Sequence, residues 1–497
     1  MLAIARTFTL LGIEAGEVSV EVDVNRGLPA FSIVGLPDAA VRESRERVRA
    51  ALVNSGFEFP LRRITANLAP ADLRKVGPGF DLAIAAALLA ASGQLDPACL
   101  TRFALAGELA LDGSIRPVPG ALAMAEGARR IGMEGIAVAA ADAPEAALAE
   151  PLEVIPLSRL EQVPQLGNGL PRAEPPPPSS ESIAKLPDLA DLRGQPALRR
   201  ALEIAAAGGH SVLMTGPPGS GKTLAARRLA SIMPPLVGEE ALEVTRIASA
   251  CGRGRRGALL TARPFRAPHH TVSAAGLVGG GTPPRAGEVT LAHRGVLFLD
   301  ELGEFGRQAL EALRQPLEEG TVTISRAART LTLPCRFMLI AAANPCPCGH
   351  GPDSGRCECP HQAVRAYSAK LSGALADRID ISLGVGQPSS QALAGEGGER
   401  SEAVRERVMA ARERAAARLG AGRCNAELDA AETRIACRMT AAAAKMLASG
   451  RESLGLSARG WDRAARVART IADLAECERV DEAHVGEALS LRRRRQP

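Results

Sequence analysis

GHSVLMTGPPGSGKTLAARRLASIM, running from Gly209 to Met233, is the stretch whose reading decides the fold. Its apolar start, GHSVLMT, reads as a buried strand, and LAARRLASIM reads as a helix. Between them lies the loop Gly216-Pro217-Pro218-Gly219-Ser220-Gly221-Lys222-Thr223, which fits G-x-x-x-x-G-K-[ST]. Glycines there let backbone N–H groups surround phosphate oxygens, and the following helix N-terminus adds positive potential. In such a loop Lys222 reaches the β- and γ-phosphates of ATP and Thr223 ligates Mg²⁺. The fold class expected is α/β, a parallel sheet built around a phosphate-binding loop.

Two more apolar runs extend that sheet. GVLFLDE (Gly295 to Glu301) and RFMLIAAANP (Arg336 to Pro345) read as buried parallel strands. Asp300 and Glu301 close the first, one carboxylate for Mg²⁺ and its neighbour to orient and deprotonate the attacking water. Asn344 ends the second, where a polar amide can position the same water. Arg378, in ADRID, is a candidate to reach the γ-phosphate of a neighbouring subunit, which requires a ring; the plainer reading pairs it with Asp377 or Asp380. Arg459, in LSARGWDR, is a candidate to sense nucleotide in cis, and Arg463, one turn on, competes for that role.

Working outward, Pro164 to Pro187 contains four consecutive prolines and reads as an extended linker. It divides the chain into an N-terminal domain (1–165), a linker (166–187), an ATPase core (188–390) with a Cys-rich insertion (346–361), and a helical lid (391–497). Before the linker, VSVEVDV (Val18 to Val24) and FSIVG read as strands and Asp38 to Ser55 as a helix. A chain of 497 residues with 46% hydrophobic but 2% aromatic residues has ample core, packed mainly by aliphatic side chains. The N-terminus lacks a signal-peptide pattern, and the longest apolar run, Leu82 to Ser92, is short of the roughly 20 residues that span a bilayer. A cytoplasmic location without membrane contact is the expectation. Cys346, Cys348, Cys357 and Cys359 then suit tetrahedral Zn²⁺, with His350 or His361 able to replace one thiol, and free or redox-active thiols as the alternative.

The ATP motifs, taken with GLPDAAVRESRERVRAALVNSGFEFP, ITANLAPADLRK, FRAPHHTVSAAGLVGGG, LEALRQPLEEGTVTISRA, AAANPCPCG and ARGWDRAARVARTIADL, resemble the ComM (YifB) family of magnesium-chelatase-like AAA+ ATPases over nearly the whole chain. That resemblance implies a hexameric motor driving branch migration of DNA, so that incoming strands are integrated by homologous recombination during natural transformation. The N-terminal half resembles the Lon-protease-like (ribosomal S5 domain 2-like) domain, through KVGPGFDLAIAAALLAASG and GELALDGSIRPVPGALAMAEGARRIGMEGIAV. Gly79 and Met124 stand where a Lon protease places its Ser and Lys, so peptidase chemistry is excluded. A magnesium-chelatase motor subunit acting on a partner is the rival reading. Such subunits are expected to lack the N-terminal domain, so residues 1–165 argue against it.

For DNA, the stretch from Arg246 to Gly287 has no Asp or Glu but carries Arg246, Arg253, Arg255, Arg256, Arg263, Arg266 and Arg285 with His269 and His270. One-signed charge suits phosphate contact. By position the stretch resembles the pore-lining insertion of related motors. A second candidate, TVTISRAARTLTLP (Thr321 to Pro334), alternates like a hairpin with Arg326 and Arg329 near its tip. The alternative is that these arginines pair with acids of adjacent subunits.

Overall fold

The structure is a computed structural model that describes every residue except 178–185, 254–257, 282–283, 327–328, 353–354, 373–374, 376–377 and 493–497. The chain forms two compact units. One comprises residues 1–179 together with 241–260, the other 180–240 together with 261–497.

The N-terminal unit begins with a long antiparallel pair, Leu2–Leu11 on Glu14–Asn25, whose alternating valines at 18, 20, 22 and 24 are buried. Arg63–Ala69 adds antiparallel to the second strand, and Ala30–Val34 pairs parallel at the edge. The helix Ala39–Asn54 starts where Asp38 accepts a hydrogen bond from the Val41 amide. Helix Asp81–Ala91, DLAIAAALLAA, is buried at every position, which its small side chains permit. A separate parallel sheet orders Phe103–Ala106, Gly135–Ala139 and Glu153–Leu157. Residues 241–260, placed by the sequence inside the 188–390 core, belong to this unit instead: Arg246 forks onto Glu126 at 2.6 Å, and the Gly120 amide donates to Ser249 O.

In the second unit a five-stranded parallel sheet runs in the order Phe265–Arg266, Val296–Leu299, Met338–Ala343, Val212–Thr215, Ile381–Gly384. Its three central strands are wholly buried, the reason they read as unbroken apolar runs. Helices Pro196–Gly208 and Lys222–Ile232 pack on the sheet. The C-terminal helices Ser401–Leu419, Ala441–Leu454, Ala458–Leu474 and Glu482–Ser490 share that same core through Val404, Val408, Ala443, Ala464 and Val485. The lid is therefore continuous in packing with the ATPase core. Among the described residues no helix is long and apolar enough to cross a membrane.

Candidate nucleotide site and its surroundings

The phosphate loop leaves the sheet at Thr215 and closes at Gly221, the cap of helix Lys222–Ile232. Gly219 and Gly221 hold φ of 76° and 89°, a region L side chains seldom enter. At Gly216 the constraint is space: a Cβ would lie 2.0 Å from Val385 O. The Lys222 ammonium is folded back into the loop, donating to Gly216 O at 2.7 Å and Pro217 O at 2.9 Å, with Asn344 Oδ1 at 3.4 Å. Burial pushes its pKa down, and the Asp300 carboxylate works against that shift. A phosphate entering the loop would replace the carbonyls as the lysine's partner.

Asp300 ends the neighbouring strand and accepts a hydrogen bond from Thr223 Oγ1 at 2.7 Å. These hard oxygens fit Mg²⁺. Cis ligands on an octahedral Mg²⁺ are about 2.9 Å apart, given Mg–O distances of about 2.1 Å. The structure thus brings Lys222, Thr223, Asp300 and Asn344 together from three adjacent strands. Glu301 takes a different direction. Its backbone is left-handed, φ 52°, and its carboxylate lies 3.5 Å from His270 Nδ1.

Arg378 and Arg459 meet elsewhere. Both donate to Glu318 Oε1, at 2.5 and 3.1 Å, on the wall of a cleft of about 550 Å³ whose lining includes Arg463 and Asp380 but no residue of the phosphate loop. The expectation of Arg459 sensing nucleotide in cis is corrected by this placement. Arg463 is turned to the buried Asp380, at 3.5 Å. Burial pushes the Asp380 carboxyl up, but the hydrogen bond from His210 and the charges of Arg463 and Arg466 prevail and hold it below the usual range. Neither Asp377, outside the described residues, nor Asp380 is the partner seen for Arg378.

The four cysteines converge. Their sulfurs all lie within 4.8 Å of one another, with Cys346 to Cys348 at 3.2 Å and Cys357 at 3.6 Å from each. Neither His350 nor His361 joins the cluster. Sulfurs on a tetrahedral zinc sit about 3.8 Å apart, from Zn–S bonds of about 2.3 Å. The loop carrying them touches the phosphate loop, since a Cβ on Gly349 would fall 2.9 Å from Pro218.

Of the arginine-rich stretch, Arg246, Arg263 and Arg266 each hold an acid of their own chain. Arg263 binds Glu240 at 2.8 Å and two backbone carbonyls, and Arg266 forks onto Glu288 at 2.7 and 2.9 Å. Arg266 is thereby a brace and not an open cation, because Glu288 lies just beyond the acid-free window read from the sequence. His269 stacks on His270 with ring centres 4.1 Å apart. Arg253 and Arg285 are exposed, while Arg255 and Arg256 lie outside the described residues. The hairpin forms as read, Thr321–Arg326 against Arg329–Pro334, with Arg326 opposite Arg329; their side chains lie outside the described residues.

The sequence reading missed Glu318, although LEALRQPLEEG was in view; nothing in a single glutamate tells which distant arginines it will gather. It missed Tyr367 as well. That ring lies against the acidic turn so closely that a Cβ on Gly303 would meet it at 2.2 Å, and burial pushes the phenol's pKa up against a hydrogen bond from the Asn344 backbone.

A parallel sheet in this order, with a phosphate loop on one strand, Asp300 and Glu301 on a second and Asn344 on the strand between, defines an AAA+ ATPase of the phosphate-loop class. Residues 188–393 match the family described as magnesium chelatase, subunit ChlI, and residues 398–492 match the ChlI C-terminal family. Residues 20–142 match the family described as subunit ChlI of Mg-chelatase. The chain belongs to the magnesium-chelatase-like ComM (YifB) family. It is 44% identical to the uncharacterized protein YifB of Salmonella typhimurium over 99% of this chain and 97% of that protein. To competence protein ComM of Haemophilus influenzae it is 42% identical, again over 99% and 97%. DNA replication licensing factor mcm7 of Schizosaccharomyces pombe is 27% identical over 35% of this chain and 19% of its own length. The match at 20–142 corrects one argument: a family named for the chelatase subunit covers the N-terminal half, so that half does not separate this chain from chelatase subunits.

Proposed function

We propose that this protein is an ATP-driven motor of the cytoplasm that works on branched DNA, moving a junction so that an incoming strand is paired and integrated by recombination. The observation that carries the reading is the full-length likeness to a competence protein in a chain whose ATP site is assembled. The likeness of part of the chain to a DNA replication factor points the same way.

In this reading Gly216 to Thr223 hold the phosphates, and Thr223 and Asp300 hold Mg²⁺, which would neutralise charge on the β- and γ-phosphates. Asn344 and Glu301 orient water, and Glu301 takes its proton. Arg378 and Arg459 serve the nucleotide of a neighbouring subunit in a homo-oligomeric ring, most simply a hexamer; their shared cleft, apart from the phosphate loop, supports that division. The exposed Arg253 and Arg285, with the hairpin tip at 326–329, supply phosphate contacts, and His269 lies beside them in sequence. Cys346, Cys348, Cys357 and Cys359 hold zinc, a structural ion that fixes a short loop.

ATP hydrolysis by the purified protein, measured with and without a synthetic three-strand DNA junction, tests the reading. Stimulation that falls as salt rises and vanishes in Glu301→Gln supports it. Hydrolysis indifferent to DNA contradicts it and favours a second reading, which the chelatase family description itself supports: a motor subunit acting on a protein partner.

A further inference from the structure

Glu301, the residue read as the base, does not face the phosphate loop. The two acids at the end of strand Val296–Leu299 diverge: Asp300 bonds to Thr223, while Glu301 lies 3.5 Å from His270. The strand order explains the direction. Phe265–Arg266 flanks Val296–Leu299 on the side opposite Met338–Ala343 and Val212–Thr215, which bring Asn344 and the phosphate loop. The register, Arg266 beside Leu297, carries forward four residues on each chain to set His270 beside Glu301. A carboxylate turned to His270 is therefore turned toward the sheet edge and away from the water it would deprotonate.

His270 is also well held. It stacks on His269, whose Nδ1 is 2.9 Å from Thr271 Oγ1, and stands edge-on to the buried Phe305 at 6.5 Å between ring centres. Three residues later Ser273 caps helix Ala274–Val278, which packs on helix Arg307–Ala312 through the buried Leu277. That helix leads to the pair Gly279–Gly280 with Arg285–Ala286, so the exposed Arg285 and His270 sit on one continuous segment.

We infer that His270 is a positioning residue that withholds Glu301 from the catalytic water, and that engagement of DNA phosphates by the Arg285 segment draws His270 away and frees the carboxylate. The second half rests on the DNA reading above; the first does not. Hydrolysis at rest is thereby kept low, and DNA raises it by releasing a base that is already built.

The test is steady-state ATP hydrolysis by the full chain, with and without a synthetic three-strand DNA junction, for wild type, His270→Ala and His270→Asn. Loss of one part-exposed contact predicts a DNA-free kcat in His270→Ala raised roughly two- to fivefold with KM for ATP unchanged, and a DNA stimulation ratio reduced by the same factor. His270→Asn, whose amide nitrogen can replace Nδ1, restores the low resting rate. A DNA-free rate in His270→Ala equal to or below wild type overturns the inference, provided His270→Asn behaves as wild type and so reports an intact fold. If the alanine variant keeps the full wild-type stimulation ratio, the link to DNA is overturned. Wild-type hydrolysis that ignores DNA sinks the DNA reading instead, and the DNA-free comparison then decides the withholding alone.

Discussion

Arg378 and Arg459 end on the same carboxylate oxygen, Oε1 of Glu318, although one follows the sheet and the other opens a lid helix. Two guanidiniums held by one acid are primed for exchange: an arriving anion of higher charge can take both. Since the phosphate loop of the same chain does not line their cleft, the anion belongs to another subunit.

That arrangement predicts complementation. Arg378→Ala and Glu301→Gln proteins should each be inactive alone. Mixed in equal amounts they should regain a measurable fraction of wild-type ATP turnover, because some interfaces join an intact arginine to an intact acidic pair. Absence of any recovery in mixtures shown to co-assemble would place Arg378 in its own subunit's chemistry.

The glycine at 216 should be irreplaceable for packing reasons. A methyl group there would sit 2.0 Å from Val385 O, so the loop or strand Ile381–Gly384 must shift. Gly216→Ala is expected to cost ~1–3 kcal/mol of stability, the usual range for overpacking, and to weaken ATP binding at the same time. Thermal melting with and without nucleotide measures both effects; a variant with wild-type melting and wild-type affinity would contradict the geometry.

Asp380 should make the second unit acid-sensitive. Its folded-state pKa lies below the unfolded value of about 3.9, so its pairing with His210 and the nearby arginines stabilises the fold above that pH. The contribution is lost as pH falls through the folded value. Asp380→Asn should lower stability at neutral pH by ~1–3 kcal/mol and lose less on acidification. Denaturant unfolding followed from pH 7 downward should show the two stabilities converging below about pH 4.

Metal removal should be felt at the nucleotide. Gly349 rests on Pro218, so loosening the cysteine loop loosens the phosphate loop beside it. Chelation, or Cys357→Ser, is expected to release one zinc per chain and raise the Kd for ATP several-fold while far-ultraviolet circular dichroism is preserved. Stoichiometric zinc retained in Cys357→Ser would remove that sulfur from the ligand set.

The site was legible in the sequence where chemistry is local in the chain. Gly216 to Thr223 and the Asp300–Glu301 pair announce themselves because strand, loop and acid are contiguous, and Asn344 follows from the same logic one strand further. The hairpin at 321–334 was legible from alternation, and the cysteine cluster from spacing. What stayed hidden depends on long-range pairing. Arg266 looked free because Glu288 falls one residue past the acid-free stretch, and His270 looked like a DNA contact because only the register of two strands brings it to Glu301. Residues 241–260 looked like motor core because chain order predicts domain membership until a segment such as the one carrying Arg246 finds its partner, Glu126, in another unit's sequence.

Movement of a DNA junction is the most direct measure of the central claim. Wild-type protein incubated with ATP and a labelled three-strand junction should convert it to displaced strand, and Lys222→Ala, unable to engage the γ-phosphate, should leave it in place. Conversion that proceeds equally without ATP, or none at all from a protein that hydrolyses ATP, would contradict the account.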